Sequence, residues 1–178
     1  MKQEAAAEPD DQDTVWQPDG DFMRRMILAA ILKSNPIPIA YRLNYVANFY
    51  VGPLVRNIEK SFRMTRPEWI VLFCLNQRAG LSAQQISSVT GRPKTSISAA
   101  VKQLQKKKLI LRSTDVADAR RQVLRLTDDG RRIYAAILDG FVKREAEMVA
   151  CLDRSERRQF LRLLDKIIDN SPRWARPY

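Results

Sequence analysis

Two short helices joined by a tight turn are predicted by the stretch LSAQQISSVTGRPKTSISAAVKQL (residues 81–104). Ser82 and Gln85 form a capping-box pattern that starts the first helix, and Gly91 can end it in a left-handed conformation. We expect Ile86 and Val89 to face inward from this helix. Two aliphatic runs follow, LILR (109–112) and QVLRL (122–126), which predict a β-hairpin.

The second helix, predicted from Pro93 to Lys108, separates an apolar stripe from a polar face. The stripe consists of Ile97, Ala100, Val101 and Leu104. The opposite face carries Lys94, Thr95, Ser98, Ala99, Lys102 and Lys106. A preceding helix is predicted to start at the capping-box pattern Thr65-Arg-Pro-Glu68 and to end near Gln77. Helix, helix, turn, helix and hairpin in this order predict a mainly α-helical chain with a small β-hairpin, a winged helix-turn-helix flanked by further helices.

Charge and composition favour a polyanionic partner over catalysis. The formal net charge is +11, and the segment from residue 92 to residue 132 holds twelve basic and four acidic side chains. Residues 1–21 instead hold one lysine against seven acids, so the remainder carries +17. A strongly basic body favours nucleic acid or an anionic membrane surface, and charge alone does not choose between them.

Histidine is absent, which removes the usual general base and the commonest metal ligand. We therefore predict no enzyme activity, no metal site and no cofactor. Cys74 and Cys151 are too few for a disulfide framework, and Cys74 lies in an apolar run that predicts a buried thiol. No apolar run reaches membrane-spanning length and the N-terminus lacks a signal-peptide pattern, so the prediction is a cytoplasmic protein without a membrane partner.

The segment DARRQVLRLTDDG (residues 118–130) resembles the wing signature of the MarR family of transcriptional regulators. In that signature an Asp and an Arg two residues later precede a strand that ends in Leu-Thr, with a Gly three residues after the Thr. Residues 65–72, 81–86 and 96–110 match the family's order and spacing, so the resemblance covers about residues 39–170. It departs from the family at Ala99, Lys102 and Lys108, where Arg, Asp and Gly are frequent.

The resemblance implies an obligate homodimer that reads a pseudo-palindromic operator in double-stranded DNA. It also implies that Arg120 enters the minor groove and that Asp118 orients it. The last long helix is predicted to start at the capping-box pattern Asp153-Arg-Ser-Glu156. Its wide apolar face agrees with a dimer, because one winged domain cannot cover it. The predicted dimerisation residues are Phe160, Leu163, Leu164, Ile167 and Ile168.

The predicted organisation has six parts. They are an acidic disordered leader (1–20), an extra N-terminal helix (21–35), a dimerisation helix (36–64), the winged helix-turn-helix (65–130), C-terminal dimerisation helices (131–170) and a basic tail (171–178). Pro53 follows Gly52 inside the dimerisation helix, and we expect it to kink or split that helix.

Two groups of binding residues are predicted. DNA contacts are assigned to Arg92, Lys94, Thr95, Ser96, Ser98, Ala99, Lys102, Arg112, Asp118, Arg120 and Arg121. Because many family members respond to phenolic or aromatic carboxylate ligands, an effector site is assigned to Tyr41, Arg42, Asn44, Tyr45, Asn48 and Trp69, although the same aromatic residues also suit a core or a dimer contact. The function predicted is a ligand-released repressor, and the alternative is an architectural or non-ligand-responsive DNA-binding protein.

Overall fold

The computed structural model describes residues 18–114 and 122–175. The helices are α1 (Pro18–Ser34), α2 (Pro38–Phe62), α3 (Arg66–Gln77), α4 (Ala83–Thr90), α5 (Lys94–Lys106), α6 (Asp128–Met148), α7 (Arg154–Asp169) and α8 (Ser171–Trp174). The strands are β1 (Ile110–Thr114) and β2 (Gln122–Leu126). The chain divides within α2 into two units, one ending at Val46 and the other beginning at Ala47. The predicted leader lies almost entirely outside the described residues.

The first unit is a helical hairpin of α1 and the start of α2. Three residues join the two helices, and the Asn35 side-chain oxygen accepts a hydrogen bond from the backbone N–H of Ile37 at 2.8 Å. Pro38 opens α2, a position where its missing N–H costs nothing. Between residues 20 and 46 no side chain is buried. The predicted extra helix is present as α1, and the described side chains of its unit form no buried core.

Helix α2 continues through Pro53 to Phe62, so of the two predicted outcomes at Gly52-Pro53, a kink or a split, the split does not occur. Beyond the proline, Leu54 is 8% exposed and Ile58 is 1% exposed, both packed in the second unit. Each of these side chains contributes about 1.5–3 kcal/mol on burial. Together they outweigh the one backbone hydrogen bond that proline cannot donate.

The second unit contains the winged helix-turn-helix, and its core lies between α3, α5, α6 and the hairpin. Its largest fully buried side chains include Ile58, Met64, Leu72, Ile86, Ile97, Leu104, Ile110 and Leu124. The predicted capping boxes are present: the backbone N–H of Thr65 donates to Glu68, that of Ser82 to Gln85 and that of Asp153 to Glu156, at 2.7, 2.9 and 2.8 Å. Each box is a contact between residues three apart, which is why the local sequence predicts it.

Val89 does not face inward as predicted; its side chain is 71% exposed, whereas Ile86 is fully buried. A step of three residues turns the helix by about 300°, which leaves the second position about 60° away from the first. Helix α4 is only eight residues long and meets the core through one narrow face. Ile86 occupies that face and Val89 lies beside it in solvent.

The hairpin pairs β1 and β2 antiparallel, with Ile110 opposite Leu126 and Thr114 opposite Gln122. It is tied to the loop before α4, because the backbone N–H of Leu124 donates to the carbonyl of Leu81 at 3.0 Å. Val123 and Leu124 are 2% and 1% exposed. The base of the wing is therefore packed into the core of the helix-turn-helix.

Candidate nucleic-acid interface

The orientation of α5 is set by its buried stripe and by the turn before it. Ile97, Ala100, Val101 and Leu104 are at most 4% exposed, as their spacing predicts. In the turn, Gly91 adopts φ +64°, and the Ser87 hydroxyl donates to the Arg92 carbonyl at 2.7 Å. The polar face of α5 is therefore held outward by the core rather than by its own side chains.

That outward face and its border carry residues of the turn and of α5 that were predicted to contact DNA. Lys94, Thr95, Ala99 and Lys102 are exposed, while Arg92, Ser96 and Ser98 are half-buried at its border. Helix α5 begins after Pro93, and no side chain among the described residues caps its N-terminus. An uncapped N-terminus presents backbone N–H groups and a partial positive charge, which suits a phosphate.

Arg66 belongs to this surface and was not predicted. Partial burial lowers the pKa of the Arg66 guanidinium, and the positive charge of Arg92 lowers it further. An arginine keeps its charge under any physiological condition, so two cations are held close enough to repel one another. A phosphate would relieve that repulsion. The two residues are far apart along the chain, so only the fold shows their proximity.

A concave notch of about 600 Å³ separates α4 from the wing. It is lined by Ser82, Ala83, Gln84, Gln85, Ser88, Arg112 and Gln122. Apart from Arg112, the sequence did not single out these residues as DNA contacts, because uncharged polar side chains carry no distinctive pattern. Hydroxyls, amides and one guanidinium at the start of a helix form a set of hydrogen-bond donors that suits a nucleic-acid backbone.

The base of the wing explains the Leu-Thr-x-x-Gly pattern. The Thr127 hydroxyl accepts from the Gly130 N–H at 3.0 Å and donates to the Lys108 carbonyl at 2.9 Å. A Cβ at Gly130 would collide with the backbone oxygen of Leu109. Glycine is therefore required where α6 passes the segment that leaves α5, and the motif fixes the wing relative to the recognition helix.

Helix α5 ends in a Schellman motif with an unusual residue. The N–H of Leu109 donates to the Leu104 carbonyl at 2.9 Å, and the N–H of Lys108 donates to the Gln105 carbonyl at 3.0 Å. Lys108 adopts φ +59°, a conformation that glycine takes without cost. The frequent family glycine is missing here, and the backbone adopts the left-handed geometry nonetheless.

An ion pair fixes the same end of α5 to the start of α3. The Lys107 ammonium lies 2.7 Å from a carboxylate oxygen of Glu68, which is 3% exposed, and also donates to the Arg63 carbonyl at 2.7 Å. The other Glu68 oxygen accepts from the Thr65 N–H at 2.7 Å. With both carboxylate oxygens engaged, Glu68 positions the recognition helix from its C-terminal end.

The residues predicted to form the wing tip come between β1 and β2 in the chain. Asp118, Arg120 and Arg121 lie outside the described residues. The strands that lead to it are described, and Arg112 on β1 is exposed.

Known proteins share this arrangement. The sequence model of the MarR family matches residues 64–121. The uncharacterized HTH-type transcriptional regulator YwaE of Bacillus subtilis is 26% identical over 139 residues, which span 78% of this chain and 81% of that protein. A crystal structure of a MepR–DNA complex from S. aureus superimposes with a TM-score of 0.66 and 25% identity, covering 77% of this chain and 99% of that one. The PcaV transcriptional regulator from Streptomyces coelicolor, in complex with its natural ligand, gives a TM-score of 0.60 and 26% identity over 79% and 96% of the two chains.

This chain is similar to transcriptional regulators, and its residues 64–121 match the MarR family. Its winged helix-turn-helix fold, mainly helical with one small antiparallel hairpin, agrees with the fold predicted from the sequence. None of the helices described in this chain is long and apolar enough to cross a membrane.

The residues assigned to dimerisation line one side of α7. Phe160, Leu163, Ile167 and Ile168 are 42%, 46%, 39% and 62% exposed, and Leu164 is half-buried. No residue of α7 is buried. An amphipathic helix with its apolar face in water is a favourable surface for association.

The residues assigned to an effector site fall in different surroundings. Trp69 is 6% exposed and stacks between Tyr134 and Phe141, with ring centroids 5.4 and 4.7 Å away, so it is a core residue of the second unit. Tyr41 and Tyr45 stack on each other at 6.4 Å in the first unit. Asn44 and Asn48 are exposed.

The sequence-predicted cation, Arg42, is engaged with the backbone of its own hairpin. Its guanidinium donates to the carbonyls of Pro38 and Leu32 at 3.0 and 3.4 Å. It therefore ties the end of α1 to the start of α2.

Cys74, predicted as a buried thiol, is half-buried, and this burial raises its pKa, whereas Cys151 is exposed.

Proposed function

We propose that the protein is a repressor that binds a pseudo-palindromic operator as a homodimer and is released by a small aromatic acid. The observation that supports it best is the cationic outer face of α5, held rigidly by a buried stripe on the opposite side. A rigid helix that carries lysines and hydroxyls outward is the element that enters the major groove in this fold.

The proposal divides the interface into positioning and reading residues. Arg92, Lys94, Lys102 and Arg112, with Arg66 added by the structure, are proposed phosphate contacts. Thr95, Ser96, Ser98 and Ala99 are proposed to face bases, because hydroxyls and small apolar groups suit base edges and thymine methyls. From the wing motif, we propose that Arg120 inserts into the minor groove, that Asp118 orients it and that Arg121 contacts the backbone.

The homodimer rests on the apolar face of α7. Two copies related by a twofold axis would cover each other's Phe160, Leu163 and Ile167 and would present two α5 helices. Half-sites about one helical turn apart, roughly 34 Å, follow from that symmetry. The solved complexes of MepR with DNA and of PcaV with its natural ligand support an operator and an effector by similarity.

The salt dependence of operator binding tests the interface. If three or four of the proposed cations in each subunit neutralise a phosphate, the slope of log K against log salt is about −5 to −7. Lys102→Ala removes one contact per subunit and reduces the slope by roughly 2, at similar cost on any sequence. Lys143→Ala is the matched control, because Lys143 is an exposed lysine on α6 paired with Asp139 at 2.7 Å. A wild-type slope shallower than about −2 would refute DNA binding through this face.

Footprinting on genomic fragments with competitor DNA separates a repressor from an architectural protein. A protected pseudo-palindrome is expected, and uniform protection would favour the architectural alternative. Arg120→Ala should cost roughly 1–3 kcal/mol of operator affinity while the melting temperature is retained. Unchanged operator affinity would show that Arg120 at the wing tip does not contact DNA.

The dimer is tested by sedimentation of the double variant Leu164→Asp, Ile168→Asp. Monomers or unfolded protein are expected, because two carboxylates would be desolvated in the interface. Gln159→Asp on the exposed side of α7 is the control and should remain a dimer. A stable dimer from the double variant would contradict the proposed interface.

A further inference from the structure

Helix α2 contains a proline where it packs on α6 in the second unit. Proline has no backbone N–H, so Pro53 cannot donate to the carbonyl of Phe49 four residues earlier, and its ring crowds that carbonyl. The two helices approach closely here, because a methyl carbon of the buried Leu54 lies 3.7 Å from the position that a Cβ of Gly140 would take. A donor on α6 can therefore reach the carbonyls of α2 beside the proline.

Arg144 on α6 is that donor. Its guanidinium donates to the carbonyl of Phe49 at 2.6 Å and to the carbonyl of Tyr50 at 3.0 Å. The side chain is half-buried, and hydrogen bonds from a charged donor are about twice as strong as those between neutral groups. One side chain of α6 therefore binds two successive carbonyls of α2, including the one that Pro53 cannot serve.

The contact between the two helices is reciprocal. The Tyr50 hydroxyl donates to the carbonyl of Phe141 at 3.2 Å, and the two rings meet edge to face with centroids 6.0 Å apart. Burial raises the pKa of the Tyr50 phenol, and the charge of Glu145 raises it further, while Arg144 lowers it. The phenol therefore stays protonated at neutral pH and remains a donor. Each helix donates to the backbone of the other.

Helix α6 connects this contact to the proposed DNA-binding face. In its first turn, Gly130 lies against the backbone of Leu109 at the base of the wing. Arg144 follows fourteen positions later, which is about 21 Å along a helix. Tyr134 and Ile137, between these two ends, are buried in the core. Because close-packed side chains transmit displacements, a shift of α6 at one end changes the position of the other.

We infer that Arg144 is a positioning residue for operator binding: by holding α6 against α2 at Pro53, it fixes the orientation of the wing base and of the recognition helix. The inference rests on the proposed function, in which α5 and the wing bind an operator. Arg144 acts through α6 and does not itself contact DNA. Binding residues must be held within about 0.5 Å of their productive geometry, so a small shift of α6 is enough to weaken recognition.

A double-mutant cycle between Arg144 and Pro53 tests this assignment on the full chain. Arg144→Ala should weaken operator binding about fivefold or more. Pro53→Ala gives the Phe49 carbonyl a donor within α2, which loosens its contact with Arg144. This variant should melt no lower than wild type, since a proline leaves the helix interior, yet bind the operator more weakly. Adding Arg144→Ala to it should cost about twofold or less, because the two changes break the same contact.

Two further variants separate geometry from charge. Arg144→Lys keeps the charge but cannot bind both carbonyls as a planar guanidinium does, so its operator affinity should fall between wild type and Arg144→Ala. It also carries the test if Arg144→Ala does not fold. Lys143→Ala is the matched control, because it removes the same charge from the neighbouring position, where the lysine pairs with Asp139 of the same helix. It should leave operator binding unchanged.

The backbone amide NMR signal of Gly130 gives a readout that needs no DNA. It should shift in Arg144→Ala and remain in place in Lys143→Ala. The slope of log K against log salt should keep its wild-type value in Arg144→Ala, and a reduction as large as that in Lys102→Ala would make Arg144 a phosphate contact and overturn the inference. A lower melting temperature with operator affinity and the Gly130 signal unchanged would also overturn it, because Arg144 would then only stabilise the fold.

These measurements keep the test separate from the proposed function. If wild type recognises no operator but the Gly130 signal responds to Arg144→Ala, the connection from α2 to the wing base is retained and the repressor is refuted. If wild type binds an operator but Arg144→Ala and Lys143→Ala have equal effects on affinity and on the Gly130 signal, the repressor is retained and Arg144 has no positioning role.

Discussion

The two units of this chain differ in what holds their helices in place. In the second unit, side chains such as Leu72, Ile97 and Leu104 are completely buried, and every helix of the helix-turn-helix contributes to that core. In the first unit, Phe22, Met23 and Ile27 on α1 are more than half exposed. Its shape depends on a short loop, one arginine and a pair of tyrosines.

This difference matches the two tasks proposed for the protein. A recognition helix must present its side chains at fixed positions to fit a major groove, and close packing supplies that rigidity. An effector site must change its state when occupied, and a weakly held element with little buried surface responds to small free energies. The packed unit is therefore suited to reading DNA and the hairpin to sensing.

The largest effect that tests this comparison is loss of core volume. Leu72→Ala should lower the free energy of unfolding by about 2–5 kcal/mol, because a fully buried leucine leaves a cavity. Ile27→Ala, at a side chain 53% exposed, should cost less than about 1 kcal/mol. Urea unfolding at one fixed protein concentration measures both. Equal losses would show that the first unit is as well covered as the second.

Alanine substitutions at two glycines on α6 should change the stability of the protein in different directions. Gly130→Ala should destabilise by roughly 1–3 kcal/mol, because its Cβ meets the Leu109 carbonyl and the backbone must shift. Gly140→Ala should be neutral or stabilise by up to about 1 kcal/mol, since its nearest neighbour, a Leu54 methyl group, lies at an ordinary 3.7 Å and alanine favours a helix. Thermal melts of the two variants measure this difference. If Gly130→Ala were as stable as wild type, the close approach to the Leu109 carbonyl would not explain the glycine in the motif.

In the hairpin, Arg42→Ala should act locally. Loss of two backbone contacts is worth about 1 kcal/mol, so amides at the start of α2 should exchange several-fold faster. Amides of α3 and α5 should keep their protection. Loss of protection throughout the chain would show that the two units unfold together.

The smallest effect is expected at Lys108. Lys108→Gly relieves a left-handed φ of +59° but increases the entropy of the unfolded chain, so the gain should be between zero and about 1 kcal/mol. Lys106→Gly, within the last turn of α5, should instead lose up to about 1 kcal/mol. A loss at Lys108 equal to that at Lys106 would mean that the left-handed conformation carries no cost here.

Most of the helix-turn-helix was predictable because its signals are local. A capping box involves residues three apart, a glycine C-cap depends on one residue, and a buried stripe repeats every three or four positions. Thr65, Ser82 and Asp153 start helices as predicted, and Gly91 ends α4. The polar face of α5 follows directly from the position of its apolar stripe.

The sequence by itself therefore determined the order of elements, the recognition helix and the wing motif. Only the tertiary structure decided which distant groups meet: Arg66 with Arg92, Glu68 with Lys107, and Arg24 rather than Arg42 with the tyrosines. It also decided that α2 passes through Pro53 and that Val89 remains in solvent. The physical reason is that backbone geometry links residues a few positions apart, whereas burial and charge proximity depend on every element that packs nearby.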